Sequence, residues 1–199
     1  MRCWKSLLSG LLLTLALMPA RAEHEHLAQV TVLFFQHHIE QRQLMVDARV
    51  RIKLSTTQRD ALEHDIPLYF ITRFRLVEHS PLMGFIPWQR TVIEREVPVR
   101  LQRARLQGRW LLTNLRNGRQ SEAETLEEAL DILGTFSDIH LVDQAELHPG
   151  IDYRLRLRLQ LDRNRLPAAL WLESLTDPTW RLDSGWVEES VDQRKLWQR

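Results

Sequence analysis

Cysteine is almost absent from this chain of 199 residues, because Cys3 is the single one. It lies within residues 1–22, which have the three parts of a secretory signal peptide: basic Arg2 and Lys5, an apolar run over residues 7–18, and the cleavage motif Ala20-Arg21-Ala22. We expect cleavage after Ala22 and a secreted, periplasmic protein. The exported chain then has no disulfide, thiolate metal site or cysteine nucleophile. A bilayer span needs about 20 apolar residues, more than this run offers, so we expect peripheral membrane contact at most.

An excess of one charge is also lacking. Residues 1–22 contain Arg2, Lys5 and Arg21 and no acidic residue, which leaves 24 basic against 26 acidic side chains in the exported part. A nearly neutral domain has no long-range field to attract nucleic acid, so we expect no nucleic-acid partner. The few glycines are scattered and form no phosphate-binding loop. We expect no cofactor.

Alternation of apolar and polar residues dominates the rest of the chain and predicts β-strands. The clearest example is residues 151–161, where apolar Ile151 to Leu161 alternate with Arg154, Arg156 and Arg158. The predicted strands cover residues 30–34, 43–54, 68–79, 88–100, 109–115, 119–121, 151–161, 170–175 and 180–187. We predict a hairpin turn at residues 36–40, a connecting loop at 80–87, and a type I′ turn at Asn117-Gly118.

Two short helices interrupt these strands. Ser55 to Gln58 matches a capping box that opens a helix to about His64. Thr125 is the predicted N-cap of a second helix, which Gly134 ends in the left-handed conformation. The fold class is therefore mainly β: an antiparallel β-sandwich-like domain of about eight or nine strands with two short inserted helices. The predicted domain spans residues 23–191, followed by a loose polar tail at 192–199.

Several of these stretches resemble the bacterial family catalogued as domain of unknown function 4390. They are residues 54–68, 125–130, 153–162, Leu166-Pro167 and 180–186, and the motif L-D-x-x-x-L-P at residues 161–167 is the most specific. The resemblance implies an exported protein of Gram-negative bacteria with an envelope signalling role, since genes of this family often lie beside that of a nitrogen-regulation-type sensor kinase. It implies no catalytic residue.

Candidate catalytic and metal-binding groups have simpler interpretations. His24 and His26 lie near the start of the exported chain, and His37 and His38 would point to opposite sides if their segment were extended, so neither pair predicts a metal site. Asp183-Ser184-Gly185 lacks the flanking residues of a serine nucleophile. We therefore expect no enzyme. The alternative is an envelope hydrolase that pairs His64, His79 or His140 with a buried acid.

The arginines suggest an anion-binding face. Arg154, Arg156 and Arg158 share one side of a strand, and Arg73 and Arg75 share one side of another. If the two strands are neighbours, five guanidinium groups converge on an acidic envelope ligand. The alternative is an exposed sheet on which Glu94, Glu96 and Asp152 pair with these arginines.

A second candidate surface is the apolar segment 82–88. Met83, Phe85 and Trp88 are its largest side chains. If exposed they form a docking site, and if folded over the end of the sandwich they are part of the core. From these observations we expect a non-enzymatic envelope module that binds a protein partner, such as a sensor histidine kinase, or an anionic envelope ligand.

Overall fold

The computed structural model of the protein describes residues 27–82, 86–104 and 108–197. The predicted signal peptide, His24, His26, Met83 and Phe85 lie outside these ranges. The strands are β1 (Gln29–Glu40), β2 (Gln43–Lys53), β3 (Leu68–Leu82), β4 (Ile86–Ala104), β5 (Arg109–Asn114), β6 (Gln120–Ala123), β7 (Thr135–Asp143), β8 (Asp152–Leu161) and β9 (Val187–Ser190). The helices are α1 (Thr56–Glu63), α2 (Leu126–Leu133), α3 (Ala168–Thr176) and α4 (Gln193–Trp197), with short 3₁₀ turns at Gln144–Glu146, Arg163–Arg165 and Pro178–Trp180.

The strands form two antiparallel sheets. The small sheet has the order β1-β2-β7, and the large sheet has the order β6-β5-β4-β3-β8-β9. Their apolar faces contribute to one core, in which the ring of Phe74 from β3 meets that of Phe136 from β7 edge-on, with centroids 5.3 Å apart. The mainly β, two-sheet fold expected from the sequence is confirmed.

Strict alternation predicted β2 and β8 correctly. In β8, Tyr153, Leu155, Leu157, Leu159 and Leu161 are all buried, whereas the residues between them are not. The large sheet therefore has a polar outer face opposite its apolar inner face, as period-two strands require.

Two sequence predictions about strands are wrong, and one strand of the structure was not predicted. Residues 170–175 lie in the helix α3 rather than in a strand. Residues 180–187 begin with the last residue of a 3₁₀ turn and continue as an extended segment with one isolated bridge, from Gln160 to Asp183, until β9 begins at Val187. β7 was not predicted, because a break in its register opposite β2 disrupts the alternation that identifies a strand.

The turns also differ from expectation. β1 continues through residues 36–40, and the turn lies at Gln41-Arg42, where both residues have positive φ. The predicted loop at 80–87 is largely strand, because β3 and β4 stay paired out to Leu82 and Ile86. The β5–β6 hairpin exists, but Gly118 has positive φ and Asn117 does not, so its turn is not type I′.

Both predicted helices are confirmed with their caps. The Ser55 hydroxyl accepts from the Gln58 backbone N–H at 3.1 Å, and the Gln58 side chain accepts from the Ser55 N–H at 3.4 Å. The Thr125 hydroxyl caps α2. Gly134 ends α2 at a φ of −91°, so the expectation of a left-handed residue there is wrong. In the segment expected to be a loose tail, α4 forms and Leu196 is fully buried.

Candidate functional site

The predicted arginine face lies on the outer side of the large sheet. β3 and β8 are adjacent and antiparallel, with Arg73 opposite Arg158 and Arg75 opposite Arg156. Arg154 lies further along β8, opposite Val77. The structure therefore brings the five guanidinium groups together, as the alternation predicted.

Each of these arginines is bound to a carboxylate. Arg73 donates from Nε to Glu96 at 2.6 Å, and Arg75 donates to Glu94, both acids lying on the neighbouring β4. On the other side, Arg154 and Arg156 donate to the two oxygens of Glu188 at 3.0 and 2.6 Å, and Arg154 also lies 3.4 Å from Asp152. Arg158 donates to both oxygens of Asp183. The predicted pairing with Glu94, Glu96 and Asp152 is confirmed.

The carboxylates respond electrostatically to this arrangement. The hydrogen bond from Arg158 is the main reason why the pKa of Asp183 is lowered. Burial raises the pKa of Glu188, but hydrogen bonds from Arg156 and Arg154 outweigh that effect and lower the pKa overall. Because these acids stay ionised, the charges of the arginines are largely compensated within the protein.

Trp186 covers part of the same face. Its ring lies 4.4 Å from the guanidinium carbon of Arg75 and 5.8 Å from that of Arg158. The cation–π contacts and the carboxylate pairs together compensate the charges of Arg75 and Arg158 within the protein. Nearby, the Ser184 hydroxyl accepts from the Leu159 N–H and donates to the Gly185 carbonyl, so it is engaged in structure.

The apolar segment 82–88 is described only in part. Trp88 lies on β4 opposite Ser80 of β3, and 45 % of its surface is exposed. Met83 and Phe85 lie outside the described residues. Of the three large side chains predicted for this surface, Trp88 is therefore the one whose exposure the structure gives.

Sequence reasoning missed an apolar surface on α3. Trp171, Leu172 and Leu175 are 37, 60 and 50 % exposed, and Ala168 is exposed beside them. Their spacing of i, i+3, i+4 and i+7 places all four on one side of the helix. We call these four residues the α3 stripe. The same spacing after Pro167 is the sequence signal that would have identified an amphipathic helix.

The opposite side of α3 fixes the helix to the domain. Leu170 packs against the core, and Ser174 is fully buried. Arg163 donates to the Ser174 carbonyl at 2.5 Å, and the indole N–H of buried Trp180 donates to Glu173 at 3.3 Å. The α3 stripe is therefore presented on a helix that Leu170, Ser174 and two side-chain hydrogen bonds hold against the domain.

The histidines named for the hydrolase alternative lie apart from buried acids. His64 contacts the Asp60 carbonyl at 2.7 Å, His79 lies 3.9 Å from exposed Asp152, and His140 lies 3.1 Å from exposed Asp143. Within the described ranges no aspartate or glutamate is buried. An open depression of about 1090 Å³ near the β1–β2 turn has Asp143 as the one acidic residue in its described lining.

The fold and surface define a mainly β, two-sheet domain with an internally paired charged face and an exposed apolar helix. The chain belongs to the family described as domain of unknown function (DUF4390), whose model matches residues 28–190. No curated protein and no solved structure matched the chain. Among the described residues, no helix is both long and apolar enough to cross a membrane.

Proposed function

We propose that the protein is a non-enzymatic module of the bacterial cell envelope that binds another protein through the α3 stripe. The observation that carries this proposal is the exposure of Trp171, Leu172 and Leu175 on one side of a fixed helix. Scattered single apolar residues are normal on protein surfaces, but a contiguous group is typical of an interaction site.

The chemistry of α3 favours an apolar protein helix as the occupant. Its nine residues contain no lysine or arginine, and their one charged group, Glu173, is bonded to Trp180. An anionic lipid surface attracts basic residues, which this helix lacks. The spacing of the α3 stripe by three and four residues fits the side of one partner helix, since helices pack through rows with that spacing.

The arginine face has a structural role, whereas the α3 stripe has the binding role. Its carboxylates compensate the charges of the guanidinium groups that an anionic ligand would need, so the acidic-ligand form of the hypothesis is less well supported than the protein-partner form. Export after Ala22 and a connection to a sensor histidine kinase are part of the proposal. They are supported by the signal-peptide pattern and by the family resemblance.

Photo-crosslinking in cells tests this proposal. A photoreactive amino acid at position 172 should give one discrete adduct with an envelope protein, and the crosslinked peptide of that protein should belong to an apolar helix. The matched control is position 132, because Ile132 is also an exposed apolar helix residue, on α2. That position should not give the same adduct.

Three results would overturn the proposal: an adduct between two copies of this chain, an adduct with lipid, or equal crosslinking from positions 172 and 132. The export component has its own readout, which is the mass of the mature protein. Cleavage after Ala22 predicts a chain that begins at Glu23 in the periplasmic fraction.

A further inference from the structure

One histidine on the outer face of the small sheet is surrounded by carboxylates from all three strands. His38 Nδ1 lies 3.2 Å from Asp47 Oδ2, and its Nε2 lies 3.4 Å from Asp138 Oδ1 and 4.0 Å from Glu40 Oε2. His38 and Glu40 lie on β1, Asp47 on the central β2, and Asp138 on β7. The cluster is therefore built by the sheet rather than by one flexible segment.

The backbone of β7 directs the side chain of Asp138 towards His38. β7 breaks its register opposite β2, so that Ser137 and Asp138 together face Asp47, and Asp138 has a φ of +54°. Its N–H donates to Asp47 Oδ1 at 2.9 Å. Bulges of this kind redirect side chains and are frequent beside functional sites. Asp47 thus positions both the ring of His38 and the backbone of Asp138.

We propose that His38 Nε2 and the carboxylates of Glu40 and Asp138 bind a divalent first-row transition-metal ion, for which Zn²⁺ is the probe. The three ligand atoms all lie within 4.8 Å of one another. Tetrahedral ligands at zinc bond lengths are separated by about 3.3 Å, so small side-chain rotations of the exposed carboxylates complete the site.

The surroundings of the site fit such an ion in two further ways. A carboxylate on the second nitrogen of a ligating imidazole is the usual arrangement that fixes the ring and strengthens the ligand, and Asp47 supplies it. An imidazole ligand also selects transition ions over Ca²⁺ and Mg²⁺, which prefer oxygen ligands. Three protein ligands leave a fourth position for water. The bound ion connects β1 to β7 across β2.

Calorimetric titration of the exported chain with Zn²⁺ tests this site. The titration uses the background His24→Ala/His26→Ala, because that pair precedes the described residues and offers competing nitrogens. We expect saturable binding of one ion, a loss of at least tenfold in affinity for His38→Ala and Glu40→Gln, and a loss of about 10–100-fold for Asp47→Asn. Ca²⁺ should not compete.

The matched control is His140→Ala. His140 lies on β7 and is as exposed as His38, but Asp143 is its one ion-pair partner among the described residues. Its loss should leave the affinity unchanged. Cobalt(II) absorption that disappears in Glu40→Gln, an exposed change that the fold tolerates, gives a second readout if His38→Ala is unstable. Absence of saturable binding, or equal affinity in His38→Ala and His140→Ala, would overturn the proposal.

Discussion

Arg158 and Asp183 form a bidentate ion pair near the edge of the large sheet. Nε of Arg158 donates to one oxygen of Asp183 at 2.9 Å, and a terminal nitrogen donates to the other oxygen. The pair connects β8 to the extended segment that precedes β9, and Trp186 from the same segment lies over Arg158. The pair therefore holds the segment before β9 against the outer face of the large sheet.

We expect a double-mutant cycle of Arg158→Ala and Asp183→Ala to show a coupling of about 0.5–1 kcal/mol in the free energy of unfolding. The value is modest because both side chains are about a third exposed. The control is the pair of Arg109 and Glu122, which is half exposed and joined by a single 3.2 Å contact. Its coupling should be close to zero in the same urea titration. Equal couplings for the two pairs would contradict a stabilising role of the pair between Arg158 and Asp183.

Acid should weaken the domain through Asp183 and Glu188. The pKa of each is lowered in the folded state, so their contribution to stability is fully present above the unfolded pKa values, about 3.9 and 4.3, and is lost as the pH falls through the lower folded values. Urea unfolding across this range measures the effect. Asp183→Asn/Glu188→Gln should flatten the loss below pH 4, and a loss as steep as in the wild type would contradict this account.

Gly134 is required by a close approach of two backbones. Its carbonyl accepts from the Val50 N–H at 2.7 Å, and a Cβ at this position would lie 1.9 Å from the Val50 carbonyl oxygen. We expect Gly134→Ala to cost about 3 kcal/mol or more of unfolding free energy, because backbone on both sides must move.

The matched control for that substitution is Gly108→Ala. Gly108 has a φ of +65° but no neighbour within 4 Å of an added Cβ, so its cost is limited to conformational strain of about 1–2 kcal/mol. Thermal and urea denaturation of the two variants should separate these causes. The order of the two costs would be reversed if positive φ mattered more than the contact with Val50.

Phe74 is the aromatic contact between the sheets. It is fully buried and meets Phe136 edge-on, with Phe35 of β1 6.5 Å away on a tilted ring. Phe74→Ala should reduce the unfolding free energy by about 3–5 kcal/mol. Phe34→Ala is the control, since Phe34 is 45 % exposed on the other face of β1, and its effect should stay within about 0.5 kcal/mol.

The sequence alone predicts the structure correctly where the direction of the side chains follows a strict period. The alternation in β2 and β8 and the capping box at Ser55 each have one structural solution, and the arginine face follows from β8 and β3 becoming neighbours. The same reasoning could not find β7, because the bulge at Asp138 breaks its period.

The α3 stripe and the His38 cluster could not be predicted, because each includes residues of an element that the sequence did not identify, α3 or β7. An apolar run such as 170–175 is short enough to be a strand or part of a helix, so its exposed side stayed hidden until α3 was placed. The carboxylates around His38 come from three strands, one of which had not been predicted, so their convergence has no signature in the linear sequence.

The affinity of the purified, crosslink-identified partner for the exported chain tests the central proposal most directly. Leu172→Glu places a charge in the middle of the α3 stripe, and Ile132→Glu places the same charge on exposed α2. Titration calorimetry should show a dissociation constant at least tenfold larger for Leu172→Glu and unchanged for Ile132→Glu. Circular dichroism should show that both variants are folded. Equal affinities for the wild type and Leu172→Glu would contradict the assignment of α3 as the binding surface.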